Sequence, residues 1–258
     1  MIMQHVEITR PEQGLAVVHM KGAGRFNLMS YAMLHELWAA ANQIQSEPDI
    51  RVVVVTGSET QFSAGMNLKQ PEVKGHRDLS IEQRLAIHSI GARACAVWEG
   101  LDAVTVCAIE GYCLGGGLAF SAACDFRVAA RDTTFGAPEL LNGMSMSWQS
   151  LPRLVSLIGA ARTRKLVMLA ENIDAGTAEK WGFVDNLTEP QGALSEAMNI
   201  AGRLLKIPAA PLRMTKHAIG TAANALNHAV SFMDLEQYVV SQSTEAHGHA
   251  LDAFFKGR

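Results

Sequence analysis

The residues with the clearest chemical potential lie in one stretch, Ile109 to Asp125 (I-E-G-Y-C-L-G-G-G-L-A-F-S-A-A-C-D), with Gly115, Gly116 and Gly117 at its centre. Before them, Ala103 to Ile109 is a short apolar run with β-branched residues and reads as a buried strand. After them, Leu118 to Cys124 is small and apolar and reads as a buried helix. Glycines at such a junction allow φ/ψ values closed to other residues and let another group approach the main chain. The unpaired N–H groups of a helix start favour negative charge there. The stretch therefore fits an anion or oxyanion site. It also fits a tight turn with glycines for packing, and these residues alone leave both readings open. No Gly-Lys-Ser/Thr follows, which excludes a Walker phosphate loop. Lys21-Gly22-Ala23-Gly24 begins like a dinucleotide loop, but Asn27 stands where its third glycine belongs.

The surrounding elements must hold that stretch in place. Val6 to Arg10 and Leu15 to Met20 read as a hairpin turning at Pro11 to Gly14. Ser30 caps a predicted helix from Tyr31 to about Gln45, with Leu34, Leu37, Trp38 and Ala41 on one face. Arg51 to Thr56 (R-V-V-V-V-T) reads as a fully buried strand, so strand, helix and strand predict a parallel crossover. A loop from Gly57 to Lys69 follows, with Gly65 again just beyond a buried strand. Pro71 to Leu79 is polar and expected to be mobile. A helix is expected from Ser80 to Trp98, a strand from Phe126 to Ala130, and a helix start at Phe135 to Glu139 with Pro138 in its first turn. Trp148 to Leu157 and Ala160 to Ala170 read as helices separated by Gly159. Asp174 caps a short helix to Lys180, and Phe183 to Asn186 reads as the last strand. Everything from Pro190 reads as helix, interrupted near Pro208 to Pro211 and bent near Gly248. The expected division is a core over 1–190 and a helical region over 191–258.

Composition narrows the class of protein. The chain has 258 residues, 48% of them hydrophobic, enough for a sizeable core. Its net charge of −3 gives no general attraction to nucleic acid or an acidic membrane. No apolar run reaches transmembrane length and the start lacks a signal-peptide core, so the expected location is cytoplasmic. Cys95, Cys107, Cys113 and Cys124 form no C-x-x-C and read as small buried hydrophobes. The histidines offer no metal-ligand spacing beyond His247-x-His249, expected to be solvated, so no metal is expected.

Several separated pieces together resemble one family. They are F-S-A-G-M-N-L-K (Phe62 to Lys69), I-E-G-Y-C-L-G-G-G-L (Ile109 to Leu118), C-D-F-R-V-A-A (Cys124 to Ala130), F-G-A-P-E-L-L-N-G (Phe135 to Gly143), L-P-R-L-V-S-L-I-G (Leu151 to Gly159) and D-A-G-T-A-E-K-W-G-F-V-D (Asp174 to Asp185). In order and spacing they are similar to the crotonase (enoyl-CoA hydratase/isomerase) superfamily. The resemblance implies an α/β fold, a spiral of ββα units with two sheets and a helical C-terminal trimerisation region. It implies a homotrimer or dimer of trimers acting on acyl-CoA, with coenzyme A as part of the substrate and no permanently bound cofactor. It also implies two main-chain donors for an enolate oxygen, at Met66 and Gly116. Fixed amides aimed at the developing oxyanion stabilise the transition state more than the ground state.

Hydratases of the family carry two glutamates. The positions matching them here are Ala119 and Glu139. A lone carboxylate suits a double-bond shift, in which one group moves a proton between carbons of the same face. An enoyl-CoA isomerase is therefore the expected activity. A hydratase or another crotonase-type lyase or hydrolase is the alternative. A non-enzymatic or RNA-binding relative is remote, since the Ser80 to Trp98 helix has only Arg84 and Arg93 as cations. Glu110 and Asp125 are lesser acid candidates, Asp125 reading as structural. Ser145 and Ser147 resemble a nucleophile elbow only loosely. The resemblance further places Arg25, Phe26, Leu28, Ala64, Asn67, Leu68, Lys69, Leu114, Gly115, Pro138, Gly143, Trp148 and Lys256 around the substrate. Lys256 would reach the phosphates of a ligand in a neighbouring subunit. In Asn142 to Ser150, Trp148 and two methionines replace the family's small, glycine-rich segment; they either line the acyl pocket or fill the core.

Overall fold

The computed structural model describes residues 3–70, 73 and 78–256. Strands β1 (Val6–Glu12) and β2 (Leu15–Met20) form an antiparallel hairpin at one edge of a six-stranded sheet. Pro11 lies within β1, where an edge strand tolerates a missing N–H. Strands β3 (Val52–Thr56), β4 (Val104–Ile109), β6 (Phe126–Ala130) and β9 (Asn186–Thr188) continue the sheet in parallel, in the order β1-β2-β3-β4-β6-β9. β3 and β4 are buried on both faces, which explains their unbroken apolar sequence.

Alternate residues of these strands serve two cores. Val53, Val55, Cys107 and Ile109 face helices α1 (Tyr31–Gln45) and α2 (Ile81–Glu99), which bury Leu34, Leu37, Ile90, Cys95 and Trp98. Val52, Val54, Val104, Val106 and Val128 face α6 (Ala193–Leu205), which supplies Ala193, Ala197, Ile200 and Leu204. Although α6 falls after residue 190, it closes the second face of the sheet. Ser30 caps α1 by accepting from the Met33 N–H, and Ser80 with Gln83 forms a capping box at α2.

A second sheet departs from the expected order. Its three short strands, β5 (Tyr112–Leu114), β7 (Thr134–Gly136) and β8 (Ile173–Asp174), have too few residues to show alternation. Helix α3 runs from Gly116 to Ser121, so Gly116 and Gly117 lie in its first turn and only Gly115 precedes it. The expected helix start at Pro138 is a 3₁₀ turn, Pro138–Asn142. Helix α4 (Ser150–Met168) begins after Trp148, which sits in a left-handed turn, and it kinks at Gly159 (φ 78°). Asp174 caps α5 (Ala175–Trp181) as expected. The last strand lies at Asn186–Thr188, not at Phe183, because the Phe183 ring instead packs edge-on against Phe135 at 5.5 Å. Helices α7 (Ala209–Ala223), α8 (Asn227–Val230), α9 (Asp234–Ser241) and α10 (Glu245–Phe255) complete the chain, and α10 runs through Gly248 without a bend. Most of the Pro71 to Leu79 segment, including His76, lies outside the described residues. All four cysteines are buried and free.

Candidate active site

The two glycine turns meet because the loop after β3 runs alongside β5. Ser63 donates its N–H to Tyr112 O (2.8 Å) and accepts from Leu114 N (3.0 Å), which sets Ser63 beside Cys113 in parallel register. Three residues further along each segment stand Met66 and Gly116. Gly65 (φ 91°) and Gly115 (φ 52°), immediately before them, adopt left-handed backbone. A Cβ on Gly65 would lie 3.4 Å from Gly116 N, so the two peptide groups adjoin. Gly116 is the first residue of α3 and cannot donate within the helix. Neither its N–H nor that of Met66 donates to another described group. Two adjoining, unspent donors in a buried turn form an anion-binding geometry.

Glu139 reaches the same place from a third segment. Leu114 pairs with Gly136, and Gly115 N–H donates to Gly136 O at 2.9 Å. The chain then turns through Ala137 and Pro138, bringing Glu139 Oε1 to 2.8 Å from the point a Cβ on Gly115 would occupy, with Pro138 Cδ at 3.8 Å. The residue is half-buried, and its Oε2 is fully buried with no partner among the described residues. Burial pushes the carboxyl up to about 7, against a smaller opposing effect of its own backbone N–H. Near neutrality such a group holds and releases a proton with similar ease.

Trp148 forms the opposite wall. Its indole lies 2.8 Å from where a Cβ on Gly116 would point, and 2.0 Å from the same position on Gly91 of α2. Glycine at 91 leaves the notch this ring occupies. Trp148 (φ 64°) and Gln149 (φ 56°) are both left-handed, a conformation costing non-glycine residues on the order of 1–3 kcal/mol each. Buried Arg153 holds the turn: its Nη1 donates to both carbonyls, and Glu99 grips the guanidinium with two bonds of 2.9 Å. Trp148 and Met66 both face a small cavity of about 20 Å³.

Other expected site residues are gathered to differing degrees. Phe26 O accepts from Ala64 N at 3.0 Å, Arg25 stacks over the Phe26 ring at 4.4 Å, and Leu28 bridges Ala23 in the same loop. Asn67 N–H donates to Met29 O and its Oδ1 accepts from Lys69 N, while Leu68 lines the cavity. Gly143 (φ 67°) lets α10 approach, since a Cβ there would lie 2.7 Å from His247 Cα. Lys256 is exposed at the end of α10, and among the described residues no contact joins it to the site.

The lesser acid candidates have structural work. Both Glu110 oxygens cap α6, accepting from Gln191 N and Ala193 N at 2.9 Å. Asp125 Oδ2 accepts from Thr105 and pairs with Lys216 at 2.8 Å. Ser147 and Ser145 lie in the loop before α4, not on a strand-to-helix elbow. His247 is a correction: it is buried, not solvated, with Nδ1 2.7 Å from Asn142 O. Among the described residues no cluster could hold a metal ion. No described helix is long and apolar enough to cross a membrane. Residues that sequence reasoning missed are Tyr238 and Gln242 on the cavity wall; their spacing of four puts both on one helical face, a signal shared by countless helices.

A fold of two sheets wrapped by helices, with main-chain donors beside a buried carboxyl group, matches one known family. Residues 10–257 match the enoyl-CoA hydratase/isomerase family, and the chain belongs to this family, the crotonase superfamily. It is 27% identical over 250 residues to a probable enoyl-CoA hydratase of Mycobacterium bovis, covering 96% of this chain and 93% of the relative. Its fold is that of an enoyl-CoA hydratase from Mycobacterium avium subsp. paratuberculosis (TM-score 0.87, 19% identity, 100% and 98% of the chains covered). It also resembles a monofunctional enoyl-CoA isomerase from M. smegmatis (TM-score 0.71, 23% identity, 85% and 94% covered), a likeness of fold alone. The expected preference for an isomerase gains no support here, because the curated relative is named a hydratase.

Proposed function

We propose that the protein acts on acyl-CoA thioesters by stabilising an enolate, with the Met66 and Gly116 N–H groups on the thioester oxygen and Glu139 moving the proton. One observation carries the reading: two unspent amide donors adjoin beside a buried carboxyl group whose pKa is raised to about 7. When the α-carbon loses a proton, charge passes to the thioester oxygen, and fixed dipoles there need no reorganisation. Gly115 and Pro138 seat the carboxyl group, and Trp148 with Leu114 bounds the acyl chain. Arg25, Phe26, Leu28, Ala64, Asn67, Leu68 and Lys69 form the entrance for the CoA moiety, and Gly143 admits the helix that closes the far side. Lys256 serves a neighbouring subunit in a homotrimer or dimer of trimers. That assembly is supported by the apolar side chains left exposed on α7 to the start of α9, Met214, Ile219, Leu226, Val230 and Phe232.

Two outcomes of the enolate remain distinct chemistries. The relative's name favours adding or removing water. The single carboxyl group, with buried Ala119 where hydratases carry their other glutamate, favours shifting a double bond. Incubation with 2-enoyl- and 3-enoyl-CoA esters in D₂O separates them. Hydration at a useful rate establishes the lyase; α-deuterium exchange with bond migration and no hydration establishes the isomerase. Absence of both exchange and turnover across short and long esters would remove the enolate reading.

A further inference from the structure

The cavity that continues from Met66 and Trp148 has a wall unlike that of a hydrocarbon pocket. Tyr238 Oη and Gln242 Nε2 are both directed at Met144 Sδ, at 3.5 and 3.9 Å. The Gln242 amide is fixed in that sense because its Oε1 accepts from Arg84 Nη2 at 3.3 Å. Arg84 in turn is held by Val239 O and Ser243 Oγ, both at 2.8 Å. A thioether sulfur is a weak acceptor. Two donors inside the protein therefore share one poor partner, an arrangement that an oxygen would improve. Both residues come from the C-terminal helices, far in sequence from the glycine turns, and the rest of the wall includes the buried His247. The free space of about 20 Å³ matches one small polar group beyond the acyl chain, since a water needs roughly 10–15 Å³ by the same measure.

We infer that the acyl group accepted here is short and ends in a neutral oxygen, a carbonyl or hydroxyl, received by Tyr238 Oη and Gln242 Nε2. The inference rests on the acyl-CoA reading above and adds the chemical class of the tail. No lysine or arginine is among the described lining residues, and Arg84 lies one bond behind the wall, with Nη1 and Nη2 turned to Ser243 Oγ, Val239 O and Gln242 Oε1. A neutral oxygen is thus preferred to a carboxylate.

The test is calorimetric binding of pentanoyl-CoA, 4-oxopentanoyl-CoA and glutaryl-CoA to the full chain. Two neutral hydrogen bonds regained from a weak acceptor correspond to a preference of about tenfold for the 4-oxo ester over pentanoyl-CoA. In Tyr238→Phe that ratio is expected to fall below about threefold, in line with the loss of one such bond. Gln242→Leu supplies the same readout if the first variant does not fold. Equal affinity of wild type for the two neutral esters overturns the inference and leaves the acyl-CoA reading standing. Tighter binding of glutaryl-CoA overturns the neutral oxygen. An unchanged ratio in a folded variant overturns the assigned donors. Binding of none of the three esters overturns both this inference and the reading it rests on.

Discussion

The two ends of the site are built from different materials. At the proposed reacting end the groups assigned to the substrate are peptide N–H groups, positioned by Gly65, Gly115 and the parallel pairing of Ser63 with Cys113. At the proposed far end they are side chains, Tyr238 and Gln242, carried in by one helix more than a hundred residues downstream of the glycines. The first kind of site is indifferent to side-chain identity but intolerant of added bulk. The second tolerates backbone adjustment but depends on each functional group. The difference teaches that the two ends are specified by different features of the chain, backbone conformation at one and side-chain identity at the other.

Substitutions can break this separation at either end. The largest effect is expected for Glu139→Gln, which keeps shape and removes the titrating group; kcat should fall by about 10²–10⁴-fold while CoA-ester affinity persists, as read by steady-state kinetics and calorimetry. Near-normal turnover in this variant would strip Glu139 of its role. Next comes deletion of the Gly116 donor by proline, a residue otherwise accepted at a first helical position. Because a Cβ at 116 would strike the Trp148 ring, the comparison is Trp148→Ala against Trp148→Ala with Gly116→Pro. The second change should cost a further 10²–10³-fold or so in kcat, and equal rates in folded variants would move the oxyanion elsewhere.

A third effect is thermodynamic. The folded carboxyl of Glu139 titrates at about 7, above its ordinary value of 4.5, so the unfolded chain releases this proton first. Stability is therefore expected to fall as pH rises from 4.5 to about 7 and then to level off. Glu139→Gln should remove that slope, so that above pH 7 the variant gains up to about 3 kcal/mol relative to the wild type. Denaturant titrations at pH 5 and 8 read the difference, and parallel pH dependence of the two proteins would contradict the buried-acid assignment. The smallest effect sharpens the boundary of the site. Glu110→Gln should cost about 1 kcal/mol through its weakened cap on α6 and leave turnover within about twofold in the folded fraction. A large loss of kcat without loss of stability would return Glu110 to the catalytic candidates.

Legibility followed the range of the forces involved. Helix α1 with its Ser30 cap, helix α2 with Ser80, the buried valine strands and the Asp174 cap were readable because they depend on neighbours three or four residues away or on unbroken apolar runs. The short strands β5, β7 and β8 were not, since three residues or fewer carry no period and their pairing is with distant segments. Trp148 was misplaced in a helix for a related reason. Its left-handed turn is held by Arg153 and Glu99, a tertiary restraint with no local signature.

Residue types alone determined that this chain has glycines open to unusual backbone conformations just after buried strands, a lone carboxylate following Phe-Gly-Ala-Pro, and the family to which those pieces belong. Only the folded molecule decided that Gly65 and Gly115 lie side by side, that Glu139 fills the space left by the missing Gly115 side chain, and that Glu110 caps a helix. A glycine states which conformations are open to it, a property of one residue. Which peptide it then faces is set by strand register and helix packing, and those are sums over contacts that no single stretch contains.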